Sequence, residues 1–175
     1  MNTEIHRRYR AIRRNLPFAT PVTLLLIGEQ ETTVATGAGA EAEHILILAI
    51  GSQSTATEFF GHAPPTPGEI ENAIVKVEDE ITLAREMIIG YPTLVTSDIS
   101  IREIAQIAYD EKGSTLQISI EEVEQAFELL ARHAQGRPAS ISGIPDSPAF
   151  AASLLILREF MHHLKFTSIN VVKID

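Results

Sequence analysis

HILILAIGSQSTATEFFGHAPPTPGE, residues 44–69, joins three different signals in one stretch. His44–Ile50 is a near-continuous apolar run, the pattern of a strand covered on both faces. Residues 51–68 then form a long Gly/Ser/Thr/Pro stretch that reads as a loop. Thr66-Pro67-Gly68-Glu69 closes the stretch as a capping box with proline at the first helical position. A buried strand, a connection and a capped helix in that order make an α/β unit.

The neighbouring sequence extends the pattern. Val22–Ile27 and Thr32–Thr36 are β-rich runs around Gly28-Glu29-Gln30-Glu31, which predicts a hairpin. Gly37–Ala42 is a small-residue loop. Downstream, Ile70, Ile74, Val77, Ile81, Ala84 and Ile88 recur at steps of four and three, a packing seam on a helix over 67–88. Thr93–Thr96 reads as a short strand ending at Ser97-Asp98. Helices follow at Ile101–Tyr109 and Ile120–Ala134, with Ser100…Glu103 and Ser119…Glu122 repeating the capping spacing. A short strand at Leu116–Ile118 lies between them. Pro148–Leu164 is a helix apolar on nearly every side through Leu157, which places its first half in the centre of the core. Ser168–Ile174 is a final strand. The expected fold is a single compact α/β domain with a mixed sheet of about five strands, helices packed on it and an N-terminal amphipathic helix. Residues 1–16 form that arginine-rich arm and 17–175 the body.

Charge divides the same way. The 175 residues carry 14 Lys and Arg against 23 Asp and Glu, a net charge of −9. Arg7, Arg8, Arg10, Arg13 and Arg14 face only Glu4 within residues 1–14, and no Lys or Arg occurs from Asn15 to Val75. So acidic a body repels nucleic-acid phosphates, and nucleic acid is excluded as a partner. Ile5, Tyr9, Ile12 and Leu16 give the arm one apolar stripe, with the arginines on its solvated or partner-facing side. The acidic residues of the helix at 67–88, Glu71, Glu78, Asp79 and Glu80, are the expected partners of those arginines. Pro17 and Pro21 flank the apolar run Val22–Gly28, and Glu29 and Glu31 follow it, which argues against a secretory leader. No run approaches the ~20 apolar residues of a membrane span, so a cytoplasmic location is expected. The chain has no cysteine, which excludes a thiol nucleophile, a thiolate metal site and a disulfide framework.

Candidate chemistry centres on residues 51–62. In α/β sheets, ligands bind beyond the carboxyl ends of strands, and small residues let the backbone approach an anion. Ser52, Ser54, Thr55 and Thr57 offer hydroxyls there, and the helix from Pro67 offers amides. Neither a Walker pattern nor Gly-x-Gly-x-x-Gly is present, so no cofactor is named. His62, stiffened by Pro64, Pro65 and Pro67, is a candidate acid or base, with Ser54 and Glu58 as companions. Asp98, at a strand's carboxyl end, is a candidate catalytic carboxylate or a turn residue, and Arg102 a candidate anion clamp. The loop Gly136–Pro148, with Arg137, Ser140, Ser142 and Asp146, is a candidate lid over 51–62. Glu159 and His162 have the Glu-x-x-His spacing of di-iron bundles, but no second copy exists and no metal site is expected. Ile101–Ala108 resembles the first helix of a helix-turn-helix, but the acidic helix after it excludes DNA.

Two functions follow from these residues. One is binding of a small anionic ligand at the 51–62 and 136–148 loops, with His62 and Asp98 supporting hydrolysis or group transfer. The other is self-assembly into a homo-oligomer through the basic arm and the acidic body.

Overall fold

The computed structural model describes residues 2–17, 20–88, 90–108, 116–136 and 143–173. The sheet is built by β1 (Val22–Ile27), β2 (Thr32–Gly37), β3 (His44–Leu48), β4 (Thr93–Thr96), β5 (Leu116–Ser119) and β6 (Ser168–Val171). The helices are α1 (Asn2–Arg13), α2 (Ser52–Phe59), α3 (Pro67–Thr82), α4 (Ile99–Ala108), α5 (Ile120–Ala134) and α6 (Pro148–His163). The strands form one mixed sheet of six in the order β3-β2-β1-β4-β6-β5. β1, β4 and β6 run parallel, whereas β2 and β5 run against their neighbours. The carboxyl ends of β1, β3, β4 and β6 therefore share one edge of the sheet.

Alternation along the central strands sorts the side chains into two cores. Leu25, Ile27 and Leu94 face the layer of α2–α6, while Val22, Leu24 and Val95 face α1. α6 is the spine of the larger core: eleven of its sixteen residues are buried, including the whole run Phe150–Leu157. Ser147 caps it, its Oγ accepting from the Phe150 amide at 3.2 Å ahead of Pro148. The capping boxes at Thr66–Glu69 and Ser119–Glu122 both form with reciprocal bonds. At α4 the expectation fails by two residues: the helix starts at Ile99, so Ser100 lies inside its first turn. α3 ends at Thr82 rather than Ile88, though Ala84 stays fully buried in the turns beyond it.

Two expectations are corrected. His44–Leu48 is an edge strand bonded only to β2, and Ile47 is 45% exposed, so the apolar run is not covered on both faces. Ile45 still packs towards α1 and Leu46 towards the helical layer, which is why the run lacks polar alternation. The arginine helix does not lie beside α3, because it covers the opposite face of the sheet. Its Arg10 pairs with Glu41 at 3.2 Å, and His6 lies 3.6 Å from the same carboxylate.

Ile5, Tyr9 and Ile12 bury the expected stripe of α1 against Val22, Leu24, Ala35 and Val95. Tyr9 is fully buried, and its hydroxyl donates to the Gly37 carbonyl at 2.8 Å. Arg13 is also buried, donating to the Thr20 and Pro17 carbonyls at 2.8 and 3.0 Å, and so holds the turn after the helix. Tyr9→Ala removes a large fully buried ring, a change that costs ~3–5 kcal/mol. We expect it to release residues 2–16 to limited proteolysis. Unchanged protease resistance of that segment would refute this account of the packing.

Candidate functional site at the carboxyl edge of the sheet

Residues 52–59 are helix α2 and not a loop, which corrects the reading of the Gly/Ser/Thr segment. The helix starts where the β1–β2 turn meets it. Gly28 carbonyl accepts from the Ser52 amide at 2.9 Å, and Glu29 carbonyl from the Gln53 and Ser54 amides at 2.8 and 3.0 Å. Ser54 Oγ donates to the Gln30 carbonyl at 2.9 Å, and Ser52 Oγ lies 3.4 Å from Gly28 carbonyl. The hairpin turn thus supplies the acceptors that an N-cap side chain usually provides. Gly51 permits this approach, because a Cβ there would lie 2.6 Å from the Glu29 oxygen. Thr55 is buried, and its hydroxyl is unpartnered. Thr57 is exposed.

His62 is 69% exposed, and its Nδ1 lies 2.9 Å from Glu69 Oε1. Glu69 also accepts from the Thr66 and Gly61 amides at 2.7 and 2.8 Å. The Thr66 amide above all, with His62, holds its carboxyl down to about 2. His62 therefore joins a capping box, not a grouping with Ser54 and Glu58. Arg137, Ser140 and Ser142 lie outside the described residues. Asp146 pairs with the buried His133 at 2.5 Å.

Asp98 stands where the sequence places it, just past β4. Its Oδ2 accepts from the Ile27 amide at 2.5 Å, continuing the β1–β4 ladder after β4 has ended. Burial pushes its carboxyl up to about 6, against the opposing pull of the Ile27 amide and Arg8. Its neighbours Ser97 and Ile99 line a cleft of about 420 Å³ at the carboxyl ends of β4 and β6. The other walls are Glu4, Arg7, Arg8, Arg102, Val172 and Lys173. Among the described residues, four cationic side chains thus line the cleft with one carboxylate, in a chain of net charge −9. Glu4 occupies the arginines: Arg7 grips both its oxygens at 2.9 Å, and Arg8 Nε adds a contact at 2.8 Å. Together they hold its carboxyl down to about 2. Arg8 also reaches Ser97 Oγ at 3.4 Å.

Sequence reasoning weighed Arg102 as an anion clamp and treated Arg7 and Arg8 as a partner-facing surface. It missed Lys173, and it missed that the arm folds back over the sheet and sets Glu4, Arg7 and Arg8 beside the carboxyl ends of β4 and β6. The signal lay in the apolar stripe of α1, which needs a sheet face.

No protein-family model matches the sequence, and no curated protein does. The fold, in contrast, matches solved structures. The type II variant of the Aquifex aeolicus Ppx/GppA phosphatase aligns with a TM-score of 0.78 at 17% identity, over 94% of this chain and 57% of that one. An exopolyphosphatase from Cytophaga hutchinsonii aligns at 0.72 with 15% identity over the same shares. The chain therefore spans little more than half the length of these structures. What they share with it is the fold.

Asp98 also sets a pH dependence. The folded state holds its proton more tightly than the unfolded chain does, so the stability it contributes is complete below about pH 4 and lost as pH rises through about 6. Asp98→Asn removes the desolvated charge and can keep an acceptor for Ile27. It should stabilise the protein at pH 7.5 by ~2 kcal/mol, raising Tm by roughly 4–8 °C, with little effect at pH 4. A lower Tm for the variant at pH 7.5 would contradict this assignment.

Proposed function

We propose that this chain binds a phosphate-type anion in the cleft between α1 and the carboxyl ends of β4 and β6. One observation carries the reading: Arg7, Arg8, Arg102 and Lys173 are gathered around one cleft in a strongly acidic chain. Among the described residues that line the cleft, Glu4 is the one carboxylate, and its ion pairs are with Arg7 and Arg8. The position fits as well, since open α/β sheets take ligands beyond their strand carboxyl ends. Arginine's planar fork suits bidentate contact with phosphate oxygens, and lysine adds a point charge. Glu4, gripped by Arg7 through both oxygens, stands in the chain for the anionic group a ligand would present. The fold neighbours named as phosphatases favour phosphate over carboxylate and make hydrolysis the reaction to test. Asp98, next to the cleft and titrating near neutrality, is the acid proposed to exchange a proton with water there.

The competing reading, assembly through the arm, draws on the same arginines. It is the weaker, because the apolar stripe of α1 is spent on the chain's own sheet and Arg13 on its own backbone.

Titrating orthophosphate, pyrophosphate and tripolyphosphate by calorimetry at low ionic strength tests the proposal. Arg8→Gln and Arg102→Gln should each weaken binding about tenfold, or ~1.4 kcal/mol. Glu4→Gln should tighten it, because the ligand then has no internal competitor. Phosphate release by wild type and its loss in Asp98→Asn would add hydrolysis to binding. Equal affinities in wild type, Arg8→Gln and Arg102→Gln would overturn the site.

A further inference from the structure

The helical layer holds a polar cluster that the anion cleft does not use. Glu159, on α6, is only 2% exposed. A buried carboxylate is costly unless its charge is answered. Arg158 Nη1 contacts one of its oxygens, and Arg158 Nε binds Glu124 at 2.9 Å. The other oxygen of Glu159 lies 3.2 Å from His163 Nε2, one helical turn further along α6. That same nitrogen lies 3.1 Å from Glu78 Oε1 on α3. One ring nitrogen thus stands between two carboxylates from two helices, and a single N–H cannot point at both. With a neutral imidazole, Glu78, Glu124 and Glu159 outnumber Arg158 by two charges.

We propose that Glu78, Glu159 and His163 hold a divalent cation of the zinc class, joining α3 to α6. The spacing fits such an ion. Zinc takes imidazole nitrogen at ~2.0–2.1 Å and carboxylate oxygen at ~2.0–2.2 Å, so ligand atoms across a tetrahedral angle lie ~3.3–3.5 Å apart. The two nitrogen–oxygen distances are 3.1 and 3.2 Å, and all three ligand atoms lie within 4.8 Å of one another. The donor set of one imidazole and two carboxylates suits zinc better than magnesium or calcium, which prefer oxygen alone. Two donors sit on one rigid helix, and Arg158 orients Glu159 from behind, as an outer-shell partner does. Glu78 and His163 are 41% and 26% exposed, so the ion has a path from solvent and a position left for water. The sequence reading looked to His162 for a Glu-x-x-His pair, but His162 turns to Glu124, 3.8 Å away, and the adjacent His163 faces Glu159.

The test is calorimetric titration of the untagged full chain with Zn²⁺ at pH 7.5, with Mg²⁺ as control and Co²⁺ absorbance reporting coordination. One Zn²⁺ per chain should bind, Mg²⁺ should not compete, and Tm should rise by several degrees when the site is saturated. Co²⁺ should give the intense visible bands of a tetrahedral site. His163→Gln and the surface change Glu78→Gln should each weaken Zn²⁺ at least tenfold, while His62→Ala leaves it unchanged. Absence of saturable one-site binding would overturn the proposal, as would wild-type affinity in both His163→Gln and Glu78→Gln. Neither result bears on the anion cleft, which shares no residue with this cluster.

Discussion

The seating of the β1–β2 turn on the first turn of α2 organises the sheet's carboxyl edge. A hairpin turn leaves carbonyls without partners, and a helix start leaves amides without partners. Here each answers the other, with three amides of residues 52–54 closing on the carbonyls of Gly28 and Glu29. The fit depends on Gly51, since any side chain there would strike the Glu29 carbonyl. This contact fixes the hairpin against the helical layer, but it also consumes the amides at a helix N-terminus that would otherwise attract an anion. Positive charge at this edge has to come from side chains instead, and α1 brings half of it, with Arg102 and Lys173 supplying the rest.

The basic arm is divided in its turn. Four of the five arginines of residues 1–14 do different work. Arg13 points inward and stitches the chain after the helix, and Arg10 reaches across to Glu41. Arg7 and Arg8 are left to share Glu4 at the mouth of the cleft. Exposed pairs of this kind add little to stability, so they orient the guanidinium groups more than they stabilise the fold. Tyr9 and the apolar stripe provide the hold, and the charges set what approaches.

Much of the architecture was legible wherever a local signal sufficed. Two reciprocal capping boxes, the hairpin around 28–31, the short strand at 93–96 and the buried helix after Pro148 all rest on neighbours in sequence. The failures share one cause, which is that the deciding contacts are distant in sequence. α2 is poor in helix formers, and its Gly51 cap makes no side-chain bond, so its residues read as a loop. It is helical because a turn more than twenty residues upstream caps it. The apolar run at 44–50 gives no hint that it ends a sheet, since edge position is a property of strand order. Asp98 was legible as the last residue of a strand connection, but its bond to Ile27 required knowing that β1 is the neighbour of β4.

The candidate sites were legible to a lesser degree for the same reason. Ser54, His62 and Glu58 are close in sequence, yet His62 serves the start of α3 through Glu69 and Ser54 serves the turn before it. The groups that do converge come from remote segments: residues 4–8, 97–102 and 172–173 at the cleft, and 78 with 159 and 163 in the helical layer. α6 relates the two places. Its last turn carries Glu159 and His163, then Phe160 stacks on Phe166 at 5.8 Å as the chain turns into β6. β6 runs on into Val172 and Lys173 in the wall of the cleft. α6 thus leads, through β6, into one side of the cleft.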